Sequence, residues 1–204
     1  MKSLMNKLYF KTAESDLELQ SCYRLRFQVY CKEKRWLPVE NFPDGMEKDK
    51  YDEKAAHVMA LDEDFNVIGN MRIIKESDYD RLPYLDHPGM KGVDHKAKNL
   101  AELSRFVITA KRNRHLVLKG LLRLVYLTSR KIGVDNWVYV SEPTLIRFID
   151  RYKYFFQPIC PPAKYYGGFT LIAACDISKT EARWKANDMD TWNYHWKEPT
   201  MIQQ

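Results

Sequence analysis

Residues 99–140 read NLAELSRFVITAKRNRHLVLKGLLRLVYLTSRKIGVDNWVYV, and the changes of pattern within them decide the fold class. NLAELSRFVI (99–108) reads as a strand, with Leu100, Glu102, Ser104 and Phe106 on one face and Leu103, Arg105 and Val107 on the other. From His115 to Lys131, Val117, Leu118, Leu121, Leu122 and Val125 recur at three- and four-residue spacing, a helical stripe that Gly133 stops. WVYV (137–140) then forms a short apolar strand of buried type. A strand, a helix and a strand in succession imply parallel neighbours, because a crossover helix returns the chain to the same end of the sheet.

Towards the N-terminus, AHVMAL (56–61) and VIGNMRII (67–74), joined by the polar DEDFN, read as an antiparallel hairpin with a turn longer than the tightest types. Before it, KLYFKTA (7–13) is a first strand, and Ser15 with Glu18 forms a capping-box signature. That box opens a helix carrying Leu19, Cys22, Tyr23, Val29 and Tyr30 and ending near Cys31–Lys34. Residues 78–98 are rich in Pro, Gly, Asp and Lys and read as an irregular insertion. Towards the C-terminus, Pro143 suits the first turn of a helix bearing Leu145, Ile146, Ile149 and Tyr152. FTLIAACDI (169–177) is a strand, and Ser178 with Glu181 repeats the capping signature before a Trp-rich terminal helix. The expected fold is α/β, with a mixed central sheet and helices on both faces, in a single domain over 1–204.

The 204 residues, 45% of them hydrophobic, suffice for one sizeable core. With 13 Tyr and five Trp, aromatic residues exceed what such a core needs, so some are expected to line a pocket. The net charge of +6 favours an anionic partner. Cys22, Cys31, Cys160 and Cys175 make no C-x-x-C pair and join no His at zinc-like spacing, so reduced thiols and no metal site are expected. MKSLMNKLYF lacks the apolar run of a signal peptide, and no segment approaches the ~20 apolar residues of a membrane span. A soluble, cytoplasmic protein is expected.

Arg26, Arg72 and Arg105 lie among residues that belong in a core. An unpaired buried charge costs several kcal/mol, roughly what one broken buried ion pair costs, so each needs a carboxylate or a substrate anion. The acids that can supply it are Glu47, Asp49 and Asp52 of GMEKDKYD (45–52), and Glu102. Alternation through that stretch turns Lys48 and Lys50 to water. The alternative is that the arginines snorkel from edge elements. On the 99–108 strand, Glu102 and Ser104 share a face and suit proton handling, whereas Glu102 and Arg105 cannot share one without a bulge.

Between Lys111 and Lys131 the charged residues are Lys111, Arg112, Arg114, Lys119, Arg123, Arg130 and Lys131, with no acid. Cations at a helix N-terminus oppose the macrodipole, but with the free N–H groups there they suit a phosphate. An ordinary basic surface is the alternative. Few aromatics are interleaved, which argues against nucleic acid.

The pieces YRLRFQVYCKEKRW (23–36), GMEKDKYD, the arginine of GNMRI and ELSRFVI together resemble the autoinducer (acyl-homoserine lactone) synthases of the GNAT-type acyltransferase fold. The second half, SEPTLIRFIDRYKYFFQPICPPAKYYGGFT (141–170), looks more like the related N-acyl amino acid synthases and exosortase-associated acyltransferases. Carried over by motif, the resemblance marks Arg26, Trp36, Glu47, Asp49, Asp52, Arg72, Glu102 and Arg105, with Tyr30 where the family usually has Phe. It implies transfer of a fatty acyl group from a thioester on acyl carrier protein to the amine of an amino acid or similar small acceptor. Acyl-CoA is the weaker donor, because the glycine-rich pyrophosphate turn is absent from KRNRHLVLKG (111–120).

In this reading Glu102 is the base, with Ser104 and Arg105 beside it. Arg26, Tyr30, Trp36, Glu47, Asp49, Asp52, Arg72 and Phe106 bind substrate, and Lys111, Arg112, Arg114 and Lys119 meet the acyl-phosphopantetheine carrier. No tightly bound cofactor, nucleic acid or integral membrane segment is expected. Two alternatives remain open: an autoinducer synthase using S-adenosylmethionine, and a non-catalytic module that binds acyl carrier protein or lipid.

Overall fold

The structure, a computed structural model, describes residues 7–165 and 168–196. The chain divides into two compact units, one comprising the chain up to Arg72 with Arg105–Thr128, the other Ile73–Ser104 with Ser129–Trp196. Among the described residues no helix is long and apolar enough to cross a membrane.

In the first unit, β1 (Tyr9–Thr12) pairs antiparallel with β2 (Ala56–Leu61), Tyr9 opposite Leu61 and Thr12 opposite Val58. Between them runs α1 (Asp16–Phe27), whose start is the expected capping box: Ser15 Oγ accepts from the Glu18 N–H at 3.3 Å and Glu18 Oε2 from the Ser15 N–H at 3.2 Å. The helix does not end as an α-helix. Gln28–Glu33 form a π-helical turn, with the Lys34 N–H donating to the Val29 carbonyl. β3 (Val67–Lys75) follows β2 through a turn in which Asp62 Oδ1 accepts from the N–H groups of Asp64 and Asn66. Strand order in this unit is β1-β2-β3-β4, where β4 is Leu100–Ile108.

α2 (Arg114–Lys131) packs on this sheet at two glycines. A Cβ on Gly69 of β3 would stand 2.9 Å from a Leu121 methyl, and a Cβ on Gly120 would overlap the Phe10 ring. The apolar stripe read from the sequence faces inward, with Val117, Leu118, Leu121, Leu122 and Val125 all buried.

The second unit has the order β3-β4-β5-β8-β6. β5 (Asn136–Ser141) runs parallel to β4 over Leu100–Leu103 and antiparallel to β8 (Gly168–Asp176) along its whole length. The expected mixed, open sheet is present. Two short strands escape the sequence reading, β6 (Gln157–Pro158) and β7 (Ala163–Tyr165), both paired to β8; three residues or fewer give no period to detect. The insertion at 78–98 holds two 3-10 turns, Pro83–Asp86 and Pro88–Met90, that bury Tyr84 and Met90.

α3 (Pro143–Asp150) starts at its proline as expected. The terminal helix is two helices, α4 (Ile177–Asn187) and α5 (Met189–Trp196). The cap of α4 is not Ser178 but Asp176, whose side chain accepts from the Lys179 N–H at 2.9 Å; this carboxylate comes two residues earlier and serves the N3 donor itself. Trp184 stacks on His195 at 4.3 Å, and Trp137 packs on Tyr154 and Phe156, so these two tryptophans serve the core. His195 Nδ1 donates to the Thr191 carbonyl, which leaves Nε2 to accept from the Tyr154 hydroxyl at 2.7 Å.

Replacing a mid-helix glycine by alanine gains about 1 kcal/mol in an isolated helix. In Gly120→Ala the methyl has no room beside Phe10, so the expected outcome is a net loss of about 1–3 kcal/mol in thermal unfolding. The loss should shrink when Phe10 is also replaced by alanine.

Candidate active site

GMEKDKYD folds so that its acids point inward. Glu47 and Asp52 are buried and Asp49 is half-buried, whereas Lys48 and Lys50 are exposed, Lys48 pairing with Asp44 and Lys50 lying over the Tyr51 ring. Arg26, wholly buried on α1, donates from Nε to Glu47 at 2.5 Å and from both Nη atoms to Asp52 at 2.7 and 2.9 Å. Arg72 of β3 reaches Asp49 at 2.6 Å and Asp52 at 2.9 Å. Arg105 of β4 reaches Glu47 at 3.0 Å and Asp49 at 2.8 Å. Each acid thus bridges two arginines and each arginine two acids, closing a ring in the order Arg26, Glu47, Arg105, Asp49, Arg72, Asp52.

The ring carries no net charge, and forked guanidinium-to-carboxylate contacts suit its buried setting. Burial by itself raises the Asp52 and Asp49 carboxyls, but the Arg26 and Arg72 contacts of Asp52 and the Arg72 and Arg105 contacts of Asp49 outweigh it and hold both below the usual range. His57, on β2 and wholly buried, has Nε2 at 3.3 Å from Asp52 Oδ1. Burial, reinforced by the charges of Arg26 and Arg72, pulls this imidazole down to about 4 despite Asp52, so it is neutral at pH 7. The ring opens to solvent on one arc, at Arg105 (19% exposed) and Asp49 (29%), the other four side chains being at most 4% exposed.

The π-helical turn carries Tyr30, which is buried and donates its hydroxyl to the Phe106 carbonyl of β4 at 3.1 Å. Trp36, nearly half exposed, stacks on Tyr30 at 5.6 Å, and its backbone N–H donates to the Tyr30 carbonyl. Phe106 itself is half-buried.

On β4, Glu102 is buried, and its Oε2 accepts from the Tyr84 N–H at 2.7 Å. Ser104 is half-buried. Arg105 has φ of +53°, a left-handed residue within a strand, so strict alternation fails there. The pairing of β4 with β5 runs only from Leu100 to Leu103, while β5 stays paired with β8 through Ser141. Lys111, Arg112, Arg114 and Lys119 are all exposed, the first three at or just before the start of α2 and Lys119 in its second turn.

Sequence reasoning missed two participants. His57 is hidden inside a strand that reads as purely apolar, and only its place in AHVMAL hints at burial. Tyr84 acts through its backbone, which leaves no signature in the sequence.

The described residues thus comprise a mixed α/β fold with an open sheet, a buried strand carboxylate and an arginine–acid ring. The family model described as N-acyl amino acid synthase FeeM matches residues 21–173, and the chain belongs to that family, whose members are acyltransferases. Among solved structures, the CoA-dependent acyl-homoserine lactone synthase BjaI, solved with SAM and isopentyl-CoA, is 20% identical, with a TM-score of 0.70 over 88% of this chain and 89% of its own. The acyl-homoserine lactone synthase LasI is 19% identical, TM-score 0.69, over 84% and 91%. FeeM, from uncultured soil microbes, is 15% identical, TM-score 0.65, over 87% and 95%. No curated protein matches the chain.

The depressed imidazole fixes a pH dependence. His57 binds a proton below about 6.5 in the unfolded chain but only below about 4 in the folded one, so stability is full above pH 6.5 and falls as pH drops from 6.5 to 4. The expected loss over that window is about 3 kcal/mol, followed by a further fall as Asp49 and Asp52 protonate. Urea unfolding across pH should show the first limb flattened in His57→Gln and the second retained.

Proposed function

We propose that the protein transfers a fatty acyl group from an acyl carrier protein thioester to the amine of an amino acid or similar small acceptor in the cytoplasm. The observation that carries this reading is Glu102, a buried carboxylate held at 2.7 Å by the Tyr84 N–H on the strand that also bears the ring's Arg105. Family membership supports the acyltransferase class.

An α-amino group has a pKa of ~8, so a base must take its proton before it attacks. Glu102 takes that proton, directly or through water. The amine nitrogen then bonds to the thioester carbon, and the oxyanion is stabilised by backbone N–H groups of the Leu103–Val107 segment, whose course the left-handed Arg105 changes. The C–S bond breaks, and the proton lost by nitrogen passes by way of Glu102 and Ser104 to the sulfur, releasing free thiol.

Arg105, on the exposed arc of the ring, holds the acceptor's carboxylate, while Arg26, Arg72, Glu47, Asp49 and Asp52 keep it in place. Trp36 and Phe106 touch the acyl or pantetheine chain, with Tyr30 fixing Trp36 by stacking. Lys111, Arg112, Arg114 and Lys119 receive the acidic carrier protein or its phosphate. A second donor reading, acyl-CoA, is favoured by the CoA dependence in the name of the BjaI neighbour.

Purified protein with acyl-loaded acyl carrier protein should release thiol when amino acids are added, and acylated amino acid should appear by mass spectrometry. No thiol release with any amino acid points to a non-catalytic carrier- or lipid-binding module; acyl-homoserine lactone from S-adenosylmethionine points to an autoinducer synthase. Glu102→Gln should lower kcat about 10²-fold or more with the thermal unfolding midpoint little changed. Wild-type turnover in that variant removes Glu102 as the base. Reversing Lys111, Arg112 and Arg114 to glutamate should raise KM for acyl carrier protein about tenfold at low salt, and less at high salt where screening already weakens the attraction.

A further inference from the structure

Cys160 differs from the other three cysteines in its surroundings. Cys22, Cys31 and Cys175 are at most 2% exposed, and burial pushes their thiols up, those of Cys22 and Cys175 to about 12, where a thiolate is scarce at pH 7. Cys160 is 8% exposed and lies in the second unit beside His87, a histidine 73 residues away in the chain.

His87 caps the second 3-10 turn of the insertion, three residues after Tyr84, whose N–H holds Glu102. Its Nε2 lies 3.2 Å from the Thr170 carbonyl of β8 and 3.1 Å from the Thr170 hydroxyl. A carbonyl can only accept, so Nε2 carries the ring proton and Nδ1 presents its lone pair. Nδ1 accepts from the Gly89 N–H at 3.0 Å and stands 3.9 Å from Cys160 Sγ. Burial holds this imidazole below its ordinary range despite the Thr170 carbonyl, so it is neutral at pH 7 and able to take a proton. The sulfur also has a donor, the Ile172 N–H of β8 at 3.3 Å, which favours its anion. Gly89 permits the close approach, because a Cβ there would stand 2.9 Å from Cys160 Sγ and 2.6 Å from the Pro161 carbonyl oxygen.

A thiol, a base facing it and a third group that fixes the base's tautomer make the arrangement of an activated nucleophile. We propose that Cys160 takes an acyl group from an acyl thioester, with His87 as its base and the Thr170 carbonyl as the base's orienter. The thiol proton passes to His87 Nδ1, the sulfur bonds to the thioester carbon, the donor's C–S bond breaks, and the imidazolium returns the proton to the departing sulfur. One thioester replaces another, so no oxidant or reductant is required. The proposal rests on the thioester donor of the proposed function and adds to it a covalent acyl site on the protein itself.

Intact-protein mass spectrometry of the full chain tests it, after incubation with the octanoyl thioester of N-acetylcysteamine or with octanoyl-acyl carrier protein. With at least one donor, a single octanoyl group should appear per chain, leave on treatment with neutral hydroxylamine and map to the peptide bearing Cys160. Cys160→Ser should abolish the adduct, and His87→Gln should slow its formation about 10²-fold or more. No adduct with either donor overturns the proposal, as does an adduct on another cysteine instead, or an unchanged rate in His87→Gln. Octanoylated amino acid is measured in the same samples: its appearance without an adduct overturns Cys160 and leaves the thioester donor standing, whereas absence of both removes the donor as well. Should either variant fail to fold, the peptide map of the unmodified protein decides, with octanoyl on Cys160 supporting the site and octanoyl confined elsewhere overturning it.

Discussion

Six charges alternating in sign around a closed ring hold the first unit's site together. Each group meets two of the opposite sign, so no charge is left uncompensated although four of the six are almost wholly buried. A buried ion pair by itself is weak evidence of stability, because desolvation offsets the attraction. The closed arrangement does something else. It ties α1, the 45–52 loop, β3 and β4 to one another with directional contacts, and removing any one member exposes two others to the cost of burial without a partner. Cooperation of this kind fixes a geometry more firmly than apolar packing, which tolerates sliding.

The same ring sets where the molecule can be touched. Of the ring, only the Arg105 and Asp49 arc reaches solvent, so an anion arriving there would meet an arginine already oriented by Glu47. Preorganisation of that sort reduces the ordering that binding would otherwise require. His57 remains neutral beside this cluster because burial removes the water that would stabilise its charged form, and two guanidiniums further oppose its protonation.

Much of this architecture was legible in the sequence because it is written in strong periods. The α2 stripe, the β2–β3 hairpin and the Ser15 box appear where their spacing places them, and three arginines among apolar residues announced that carboxylates must be near. What stayed hidden has physical reasons. β6 and β7 are too short for periodicity, and α4 took its cap from Asp176 because a side chain at the true boundary outcompetes a signature two residues downstream. The left-handed Arg105 is invisible because arginine carries no marker for that conformation, unlike glycine. Tyr84 serves Glu102 through a backbone donor that every non-proline residue possesses.

The π-helical turn between Arg26 and Trp36 acts as a phase shifter. In an α-helix each residue advances the side-chain direction by about 100°, so the turn's one extra residue resets which way everything after it points. Arg26 is locked by the ring and Tyr30 by the Phe106 carbonyl. Four residues apart, the two side chains leave the helix on nearly the same face, and each is held there by its own partner. Side-chain substitutions within Gln28–Glu33 therefore leave chain length and phase intact, whereas deletion of one residue there sets the two anchors against each other.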